Sequence, residues 1–524
     1  MSGIKNILFI MCDQLRADYL GCTGHPHIKT PNIDKLAQRG VTFSRAFVQA
    51  PVCGSSRMSF YTGRYIFTHG ATYNGVPLSI GQPTLGDHMR ELDVQTGLIG
   101  KTHMSADKAN MNRLGLDPLS REGMLASQCG FEPWERDDGL HPDQLTGPNL
   151  TYNQYLNSKG YEGDNPWHTA ANSGRDETGE LQSGWLLRNA HLPAVVDKAH
   201  SETAYMTDRA MEKITELGDQ PWCLHLSYIK PHWPYMAPAP YHNMYGPADV
   251  IAANRSNAEK DNPHPVVQAF MQHEESLNFS DEDKRRHVIP AYMGLISEID
   301  DNMGRLIDFL ERSGKMSETL IVFTSDHGDY LGDHWLGEKE LFHEESVRIP
   351  MIVVDPTAAA DQTRGSICDE LVEAIDLVPT FIEALGGVEK PHLLEGRSLM
   401  PLLHGATDIN WRSTAYSEVD YAWRGARLSL GLAPDQTRGY MLRTREWKYI
   451  SFDGFAPQLF NLTEDPQELH DLGRSNSHAN LRAEFENQLH LWIRARKTRH
   501  TVTLEGIEQK TDNAKQRGIT FGEW

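Results

Sequence analysis

Short apolar runs that alternate with helical patterns constrain this chain more than any other feature. They occupy residues 6–13, 96–101, 222–230, 319–326 and 350–355. Continuous apolar runs are typical of central strands that are covered on both faces. Because helical patterns lie between the runs, we predict an α/β fold, with a large and mostly parallel sheet sandwiched by helices.

Two segments carry clear helical patterns. In the first, over 30–40, Thr30 stands at the N-cap, Pro31 at the first helical position and Gly40 at the end. This order is typical of a complete helix. In the second, over 289–314, apolar residues recur at helical spacing from Tyr292 to Leu310, which predicts a second helix.

The pattern changes near residues 405–412. The stretches "STAYSEVDY", "GYMLRTREWKYISF" and "PQLFNL" read as strands joined by turns. An amphipathic helix is expected after them, with its apolar face formed by Leu481, Phe485, Leu489, Trp492 and Ile493. We therefore predict a catalytic α/β domain over 1–405 and a smaller α+β domain with an antiparallel sheet over 406–524. The polar regions 105–200 and 248–282 are expected to be insertions or loops near the site.

Charge and cysteine content exclude several classes of function. The 524-residue chain has a formal net charge of −21, which disfavours nucleic acid and anionic membranes as partners. Its 6 cysteines are scattered and form neither a disulfide framework nor a zinc motif. The first apolar run ends at Asp13 without a signal-peptide cleavage site, and no segment approaches the roughly 18 apolar residues of a membrane span. We expect a cytoplasmic protein that acts on a small molecule.

Polar side chains follow four of the apolar runs, at the sheet edge where parallel α/β sheets bind ligands. They are Asp13 and Gln14, Lys101 and His103, Lys230 and His232, and Asp326 and His327. Carboxylate and amide oxygens suit a hard divalent ion, and an imidazole shifts the preference toward Mn²⁺. The lysines, together with Arg57 and Lys339, add positive charge. A metal ringed by cations suits a tetrahedral oxyanion ester. Asp333 and His334 are either supporting or turn residues.

The stretch "APVCGSSRMSFYTGR" (50–64) places Cys53 in a small, polar environment. From the residues alone, Cys53 is a packed thiol, a nucleophile or a side chain that is chemically changed. Arg57 would lower the pKa of the thiol and so favour a nucleophile. A thiolate, however, is a poor ligand for a hard metal site.

Several motifs together resemble the sulfatase family of the alkaline-phosphatase-like superfamily, close to its arylsulfatase and phosphonate monoester hydrolase branches. They are "NILFIMCDQLRADYLG", "TPNIDKLAQRGVTFSRAF", "CGSSRMSFYTGR", "GLIGKTH", "KPHWPY" and "FTSDHGDYLGDH". The resemblance implies that a formylglycine-generating enzyme oxidises Cys53 to formylglycine. The hydrate of this aldehyde would be the nucleophile.

The resemblance also implies a role for each site residue. Asp13, Gln14, Asp326 and His327 would hold one divalent metal, Ca²⁺ or Mn²⁺, together with the modified Cys53. Arg57 would hold the aldehyde hydrate, and the sulfuryl group would be surrounded by Lys101, His103, Lys230, His232 and Lys339. A covalent sulfo-enzyme would form, and His103 would then take a proton and expel sulfate. The resemblance and the polar tail 498–524 favour a homodimer or larger assembly.

Three functions stay open at this point. Gln14, His327 and "YNGVPL" (73–78) resemble the phosphonate monoester hydrolases, whereas Lys101 and His103 are similar to sulfatases. Sulfate monoester hydrolysis is the leading interpretation, and hydrolysis of phosphonate monoesters or phosphodiesters is the alternative. In the third, Cys53 stays a thiol, in a thiol hydrolase or a metal-binding scaffold.

Two further features bear on the substrate and on the modification. Ser55 stands where the family usually has Pro or Ala, which bears on recognition by the modifying enzyme. An aryl leaving group would suit nearby aromatic side chains, namely Tyr73, Trp233, Tyr235 and Phe342.

Overall fold

A computed structural model describes residues 3–139, 150–511, 513 and 515–518. The strands are β1 (Asn6–Asp13), β2 (Val41–Phe47), β3 (Gln95–Gly100), β4 (Glu132–Arg136), β5 (Ser173–Arg175), β6 (Leu181–Ser183), β7 (Trp222–Pro231), β8 (Thr319–Ser325), β9 (Arg348–Ile349), β10 (Met351–Val354), β11 (Ser366–Glu373), β12 (Ala415–Asp420), β13 (Arg438–Arg443), β14 (Trp447–Phe452) and β15 (Gln458–Asn461). The α-helices are α1 (Pro31–Arg39), α2 (Cys53–Thr62), α3 (Ile66–His69), α4 (Leu85–Arg90), α5 (Lys108–Leu114), α6 (Arg121–Ser127), α7 (Thr151–Ser158), α8 (Glu202–Leu217), α9 (Pro265–Met271), α10 (Glu274–Ser280), α11 (Glu282–Arg312), α12 (Glu344–Val347), α13 (Leu377–Ala384), α14 (Met400–Leu403), α15 (Gly425–Ser429), α16 (Ala479–Arg494) and α17 (Leu504–Lys510).

The main sheet has the strand order β11-β2-β10-β8-β1-β7-β3-β4, with β9 paired to β2. Strand β1 lies inside the sheet and pairs in parallel with β7 and β8. Strand β10 runs antiparallel to both of its neighbours, β2 and β8. The predicted fold class, a mostly parallel sheet between helices, is confirmed.

The two faces of the sheet bury different side chains of β1. Ile7, Phe9 and Met11 belong to one core, and the alternate residues of the strand belong to the other. On the first face Phe9 packs against Phe60 of α2 and Phe381 of α13, at ring-centroid distances of 5.9 and 5.6 Å. Helices α1, α8 and α11 cover the second face. Burial on both faces explains why β1 reads as a continuous apolar run.

All five predicted strands form, but the apolar pattern did not predict four other described strands of the main sheet, β2, β4, β9 and β11, of which β2 and β11 are the longest. Strand β2 has Ser44 and Arg45 half-buried in its middle. Strand β11 begins with exposed residues and becomes buried only from Leu371 onward. Neither strand is covered along its whole length, so neither has a continuous apolar run.

The first helix agrees with its prediction, and the second is longer than predicted. The Thr30 hydroxyl stands at the cap position of α1, but it donates to Asp34 Oδ1 at 3.0 Å rather than capping a backbone amide. Helix α11 begins at Glu282, where the Asp281 side chain accepts hydrogen bonds from two backbone amides, and it continues through Pro290. The predicted start at residue 289 was wrong because the first two turns are mostly polar.

The C-terminal region forms the predicted antiparallel sheet, in the order β12-β13-β14-β15. Helix α16 buries Phe485, Leu489 and Trp492. The domain boundary at 405/406 stays a prediction, and part of the predicted tail (512, 514 and 519–524) lies outside the described residues.

The two polar regions hold regular structure as well as loops. In the first, helices α5 to α7 and strands β4 to β6 form, and β4 extends the main sheet beside β3. Its residues 140–149 lie outside the described residues. The second region holds α9 and α10. No helix in the described ranges has the length and apolar character needed to cross a bilayer.

Candidate functional site

Three elements bring a group of possible metal ligands together. Asp13 ends β1, Cys53 begins α2, and Asp326 and His327 directly follow β8. One ligand atom from each of these four buried residues lies within 4.8 Å of the other three. Cys53 Sγ is 3.1 Å from His327 Nε2 and 3.7 Å from Asp13 Oδ1. Two carboxylates and an imidazole fit a divalent ion such as Ca²⁺ or Mn²⁺.

Gln14 lies beside this group, and its side-chain amide is held at both ends. Its Oε1 accepts a hydrogen bond from Lys339 Nζ at 2.8 Å, and its Nε2 donates to Asp329. Asp329 also accepts from the Tyr235 hydroxyl at 3.0 Å. These contacts fix which amide atom faces the site. The role of Asp329 was missed, although it lies in the recognised motif three residues after Asp326.

Arg57, one turn after Cys53 on α2, contacts the carboxylates of both Asp13 and Asp326. Its Nε donates to Asp326 Oδ2 at 2.8 Å, and its Nη2 lies 3.2 Å from Asp13 Oδ2. Its Nη1 donates to the Lys101 carbonyl and to Ser227 Oγ, at 2.8 and 2.7 Å. A fully buried guanidinium with this many partners stabilises both buried carboxylates.

Cations dominate the electrostatics of Cys53. Burial opposes ionisation of the thiol, but Lys339, His327 and Lys101 together hold its pKa well below the ordinary value. Lys101 Nζ also lies 2.6 Å from Asp13 Oδ2. Because Cys53 is the first residue of α2, the helix dipole favours negative charge at the same place. The group attached at position 53 therefore lies in a strongly positive environment.

Two histidines face Cys53, as the sequence predicted. The His103 and His232 side chains both interact with the thiol. Burial lowers the pKa of His232 to about 4, so its ring is neutral near pH 7. His232 Nδ1 lies 2.7 Å from the Trp233 carbonyl, which assigns the ring proton to Nδ1 and leaves Nε2 as an acceptor. His103 Nδ1 is buried and has no hydrogen-bond partner among the described residues.

Lys230 is a correction to the sequence prediction. Its ammonium donates to Asn172 Oδ1 at 2.8 Å and to the Pro234 carbonyl at 2.9 Å. It lines a small separate cavity with Glu202 and Glu298, and burial lowers its pKa to about 8. Lys230 is still part of β7, whereas His232 follows the end of that strand. It is therefore not placed to surround a sulfuryl group.

The reactive groups open into a cavity of about 800 Å³. Cys53, Lys101, His103, His232 and Lys339 all contribute to its surface. Further lining residues are Tyr73, Asn74, Gly75, Met104, Ser105, Lys108, Arg136, Asp138, Gly139, Trp167, Trp185, Ile229, Trp233, Glu338, Glu340 and Arg424.

The cavity includes only some of the aromatic residues expected to hold a leaving group. Tyr73 and Trp233 line it as predicted. Tyr235 instead supports Asp329, and Phe342 is buried in the core beside Phe452.

Asn74 is the second residue of the motif "YNGVPL" (73–78), but the sequence did not predict its role. Its Oδ1 accepts a hydrogen bond from the Gly54 amide at 2.7 Å. A Cβ on Gly54 would lie only 2.8 Å from that oxygen, so the close approach requires glycine at position 54. Asn74 thus fixes the turn that carries Cys53.

Asp333 and His334 support the site from outside. Asp333 accepts from Arg16 Nη1 at 2.6 Å and from the Asn254 amide at 2.8 Å. His334 Nδ1 lies 2.7 Å from Glu259 Oε1. Both residues tie the 248–282 segment to the loop after β8, and neither lies in the metal-ligand group.

Backbone strain is concentrated around the same cavity. Gln14, His103, Glu338 and Glu340 have left-handed φ angles of 66°, 55°, 62° and 89°. Non-glycine residues rarely adopt this region, and where they do they cluster at active sites and ligand clamps. The strain supports the identification of this cavity as the functional site.

Comparisons with known proteins agree with this geometry. The sequence profile of the sulfatase family matches residues 5–388. The profile described as N-sulphoglucosamine sulphohydrolase, C-terminal, matches residues 332–495. The multifunctional alkaline phosphatase superfamily protein PehA of Trinickia caryophylli is 32% identical, over 93% of this chain and 95% of that protein. An arylsulfatase of Clostridium perfringens is 25% identical, over 90% of this chain and 91% of its own length.

Two solved phosphonate monoester hydrolases are similar in fold and sequence. The Agrobacterium radiobacter enzyme has a TM-score of 0.80 and 28% identity, covering 94% of this chain and 95% of that one. The Silicibacter pomeroyi enzyme has a TM-score of 0.83 and 27% identity, covering 96% and 98%. Profile, relatives and fold agree over nearly the whole chain. The chain therefore belongs to the sulfatase family of the alkaline-phosphatase-like superfamily and is a sulfuric ester hydrolase.

Proposed function

We propose that the chain hydrolyses sulfate monoesters, as arylsulfatases do, with a formylglycine hydrate derived from Cys53 and through a covalent sulfo-enzyme intermediate. The observation that carries the proposal is the buried group of Asp13, Cys53, Asp326 and His327 at a cavity that also holds Lys101 and Lys339. A negatively charged ester needs such a positive site in a chain whose net charge is −21.

One divalent metal, Ca²⁺ or Mn²⁺, is part of the proposal. Asp13, Gln14, Asp326 and His327 would hold it, together with the modified residue 53. The donor set fits, because two buried carboxylates and one imidazole converge there, with the buried Gln14 next to Asp13 in the chain. When bound, the ion would act as a Lewis acid and activate the nucleophile.

The remaining residues bind the ester and move protons. The hydrate at residue 53 would attack the sulfur as the S–O bond to the alcohol breaks, and Arg57 would orient the hydrate. Lys101, His103, His232 and Lys339 would bind the sulfuryl oxygens. Lys339, whose pKa is raised because Cys53 and Glu338 outweigh its burial, would stay charged and stabilise the leaving oxygen, which would take up the proton that the attacking hydroxyl gives up. His103 then accepts the proton of the second hydroxyl, which expels sulfate and restores the aldehyde.

A second candidate is hydrolysis of phosphonate monoesters or phosphodiesters in the same site. The two phosphonate monoester hydrolases with TM-scores of 0.80 and 0.83 favour it. Lys101 and His103 are the residues that would discriminate. We expect Lys101→Ala to reduce turnover of 4-nitrophenyl sulfate more than that of 4-nitrophenyl phenylphosphonate. Equal losses on the two substrates would contradict the assignment of Lys101 as a residue that discriminates between sulfate and phosphonate esters.

The first experiment is the mass of tryptic peptide 46–57 from a host that makes formylglycine. Conversion of Cys53 makes the peptide about 18 Da lighter. Turnover of 4-nitrophenyl sulfate by the converted protein, and none by Cys53→Ala, would support the proposal. An unmodified thiol in an active protein would instead favour the thiol hydrolase.

Partner, assembly and location belong to the same proposal. A formylglycine-generating enzyme would have to accept Ser55, which is buried and donates to the Val52 carbonyl at 3.3 Å. A homodimer or larger assembly and a cytoplasmic location remain predictions. Light scattering of the purified chain tests the first of these.

A further inference from the structure

One part of the cavity wall is acidic, and most of its charges are already paired. Arg424 Nε lies 2.6 Å from Glu340 Oε2, and the guanidinium also bonds Glu275. The other Glu340 oxygen accepts from the Tyr73 hydroxyl at 2.5 Å. Arg424 and Glu340 therefore compensate each other's charge, although Arg424 Nε and Glu340 Oε2 do not form a well-directed hydrogen bond.

Asp138 is satisfied in a similar way. Its Oδ1 accepts from the backbone amides of Thr102 and His103, at 2.8 and 2.9 Å. Its Oδ2 accepts from Arg136 Nε at 2.7 Å. This carboxylate is occupied in positioning the loop that carries His103.

Glu338 differs from these carboxylates. Its side chain is 21% exposed, lines the cavity and accepts no hydrogen bond from the described residues. The nearest cation, Lys339 Nζ, lies 3.6 Å away, beyond hydrogen-bond length, and is itself bonded to Gln14. Glu275 and Glu340 add negative potential around it. Glu338 is thus a carboxylate with free acceptor capacity beside the lysine proposed to serve the leaving alcohol.

Indole rings line the same cavity. Trp185 and Trp233 pack edge to face with ring centroids 5.1 Å apart. The Trp233 ring also packs against the His232 ring, with centroids 4.3 Å apart. Tryptophan faces attract cations as well as apolar groups. A carboxylate and indole rings in one cavity suit a ligand that is both ring-shaped and positively charged.

We propose that Glu338 is a specificity-determining residue that accepts a hydrogen bond from a protonated amine on the alcohol half of the substrate. The preferred substrates are then sulfate esters of cyclic or aromatic amino alcohols, with the sulfate at Lys101 and Lys339 and the ammonium at Glu338. This inference rests on the proposed sulfate ester hydrolysis. It adds a negative subsite to the positive one.

The test compares two esters of similar shape, tyramine O-sulfate and the uncharged 4-ethylphenyl sulfate. We expect the unmutated enzyme to prefer the tyramine ester. Glu338→Gln should lower kcat/KM for tyramine O-sulfate about 10- to 100-fold more than for 4-ethylphenyl sulfate, the range for a charged hydrogen bond, and the uncharged ester reports any effect that passes through Lys339. Glu338→Asp should keep part of the preference, and Glu484→Gln, the same charge change on the exposed face of α16, should keep all of it. Equal kcat/KM for the two esters, or equal losses in Glu338→Gln, would overturn the inference.

Binding separates this inference from the proposed function. Calorimetry of the two esters on Cys53→Ala, with and without Glu338→Gln, needs no formylglycine and no turnover. Tighter binding of tyramine O-sulfate that disappears with Glu338→Gln supports the subsite even if the enzyme hydrolyses neither ester. Equal binding of the two esters refutes it even if both are hydrolysed.

Discussion

Two buried lysines, Lys101 and Lys230, were both expected to contact the sulfuryl group. We predict that replacing them will affect turnover very differently. Lys101 Nζ lies 2.6 Å from Asp13 and lines the reactive cavity. Lys230 Nζ bonds Asn172 and Pro234 and lines another cavity. Methionine at either position removes the charge and keeps most of the side-chain volume. The pair Lys101→Met and Lys230→Met therefore compares loss of charge inside and outside the site.

The two substitutions should cost similar stability but very different activity. Asp13 loses Lys101 but keeps Arg57 at 3.2 Å. Glu202 and Glu298 lose the attraction of Lys230. Each variant should therefore lose at most the roughly 3–5 kcal/mol of a broken buried pair. The loss of stability in Lys230→Met should be at the lower end of this range. Burial has already lowered the pKa of Lys230 to about 8, which means that its charge is only partly compensated in the folded protein. Removing Lys101 also removes a cation from the charge that develops in the reaction, which lowers kcat about 10²- to 10³-fold. Lys230→Met should leave kcat within about 3-fold, since its ammonium does not reach the cavity.

The assay is kcat for 4-nitrophenyl sulfate together with the melting temperature of each variant. Lys35→Met, an exposed lysine on α1, controls for the change of residue type. If Lys230→Met, assayed well below its melting temperature, lost as much turnover as Lys101→Met, the placement of Lys230 outside the site would be refuted.

Three other perturbations probe the metal group and the buried charges. Cys53→Ala should abolish turnover and leave weakened but detectable metal binding, because Asp13, Gln14, Asp326 and His327 remain; near-normal activity would exclude Cys53 as the source of the nucleophile. Asp329→Ala should lower metal affinity about 10- to 100-fold by releasing the Gln14 amide, and unchanged affinity in calorimetry would exclude Gln14 as an oriented ligand. Burial raises the pKa of Glu298 from 4.5 to about 7. Between these two pH values the folded chain keeps a proton that the unfolded chain releases. The free energy of unfolding should therefore fall by about 3 kcal/mol as the pH rises from 4.5 to 7. Glu298→Gln should flatten the melting temperature between pH 5 and 7, and an unchanged slope would exclude Glu298 as its source.

The metal-ligand group was readable from the sequence because of strand geometry. Asp13 ends β1 and Asp326 follows β8, and because these strands are parallel neighbours their carboxyl ends meet at one edge of the sheet. Lys230 shows the limit of this reasoning. Its position at the end of β7 was read correctly, but the order of residues does not say into which cavity a side chain near a strand end will point.

Other parts of the site depend on contacts distant in sequence. Arg424 reaches the cavity from the C-terminal region, and its partners Glu275 and Glu340 come from two other segments. No local pattern joins these three residues. Asn74 and Asp329 are intermediate cases, since both lay in recognised motifs while their roles depended on the neighbours that the fold gave them.

The antiparallel strand β10 has a consequence for how this enzyme can change. Because Met351 of β10 pairs with Thr324 of β8, the segment between the two strands leaves the sheet and returns to it at adjacent positions. That single excursion carries Asp326, His327, Glu338 and Lys339. Within this excursion Lys339 is held by Gln14, and Leu336, Leu341 and Phe342 are buried in the core, so these residues are constrained. Position 338 faces the cavity without such contacts, and leaving-group preference can therefore evolve or be engineered there while the proposed ligands at the root of the excursion stay in place.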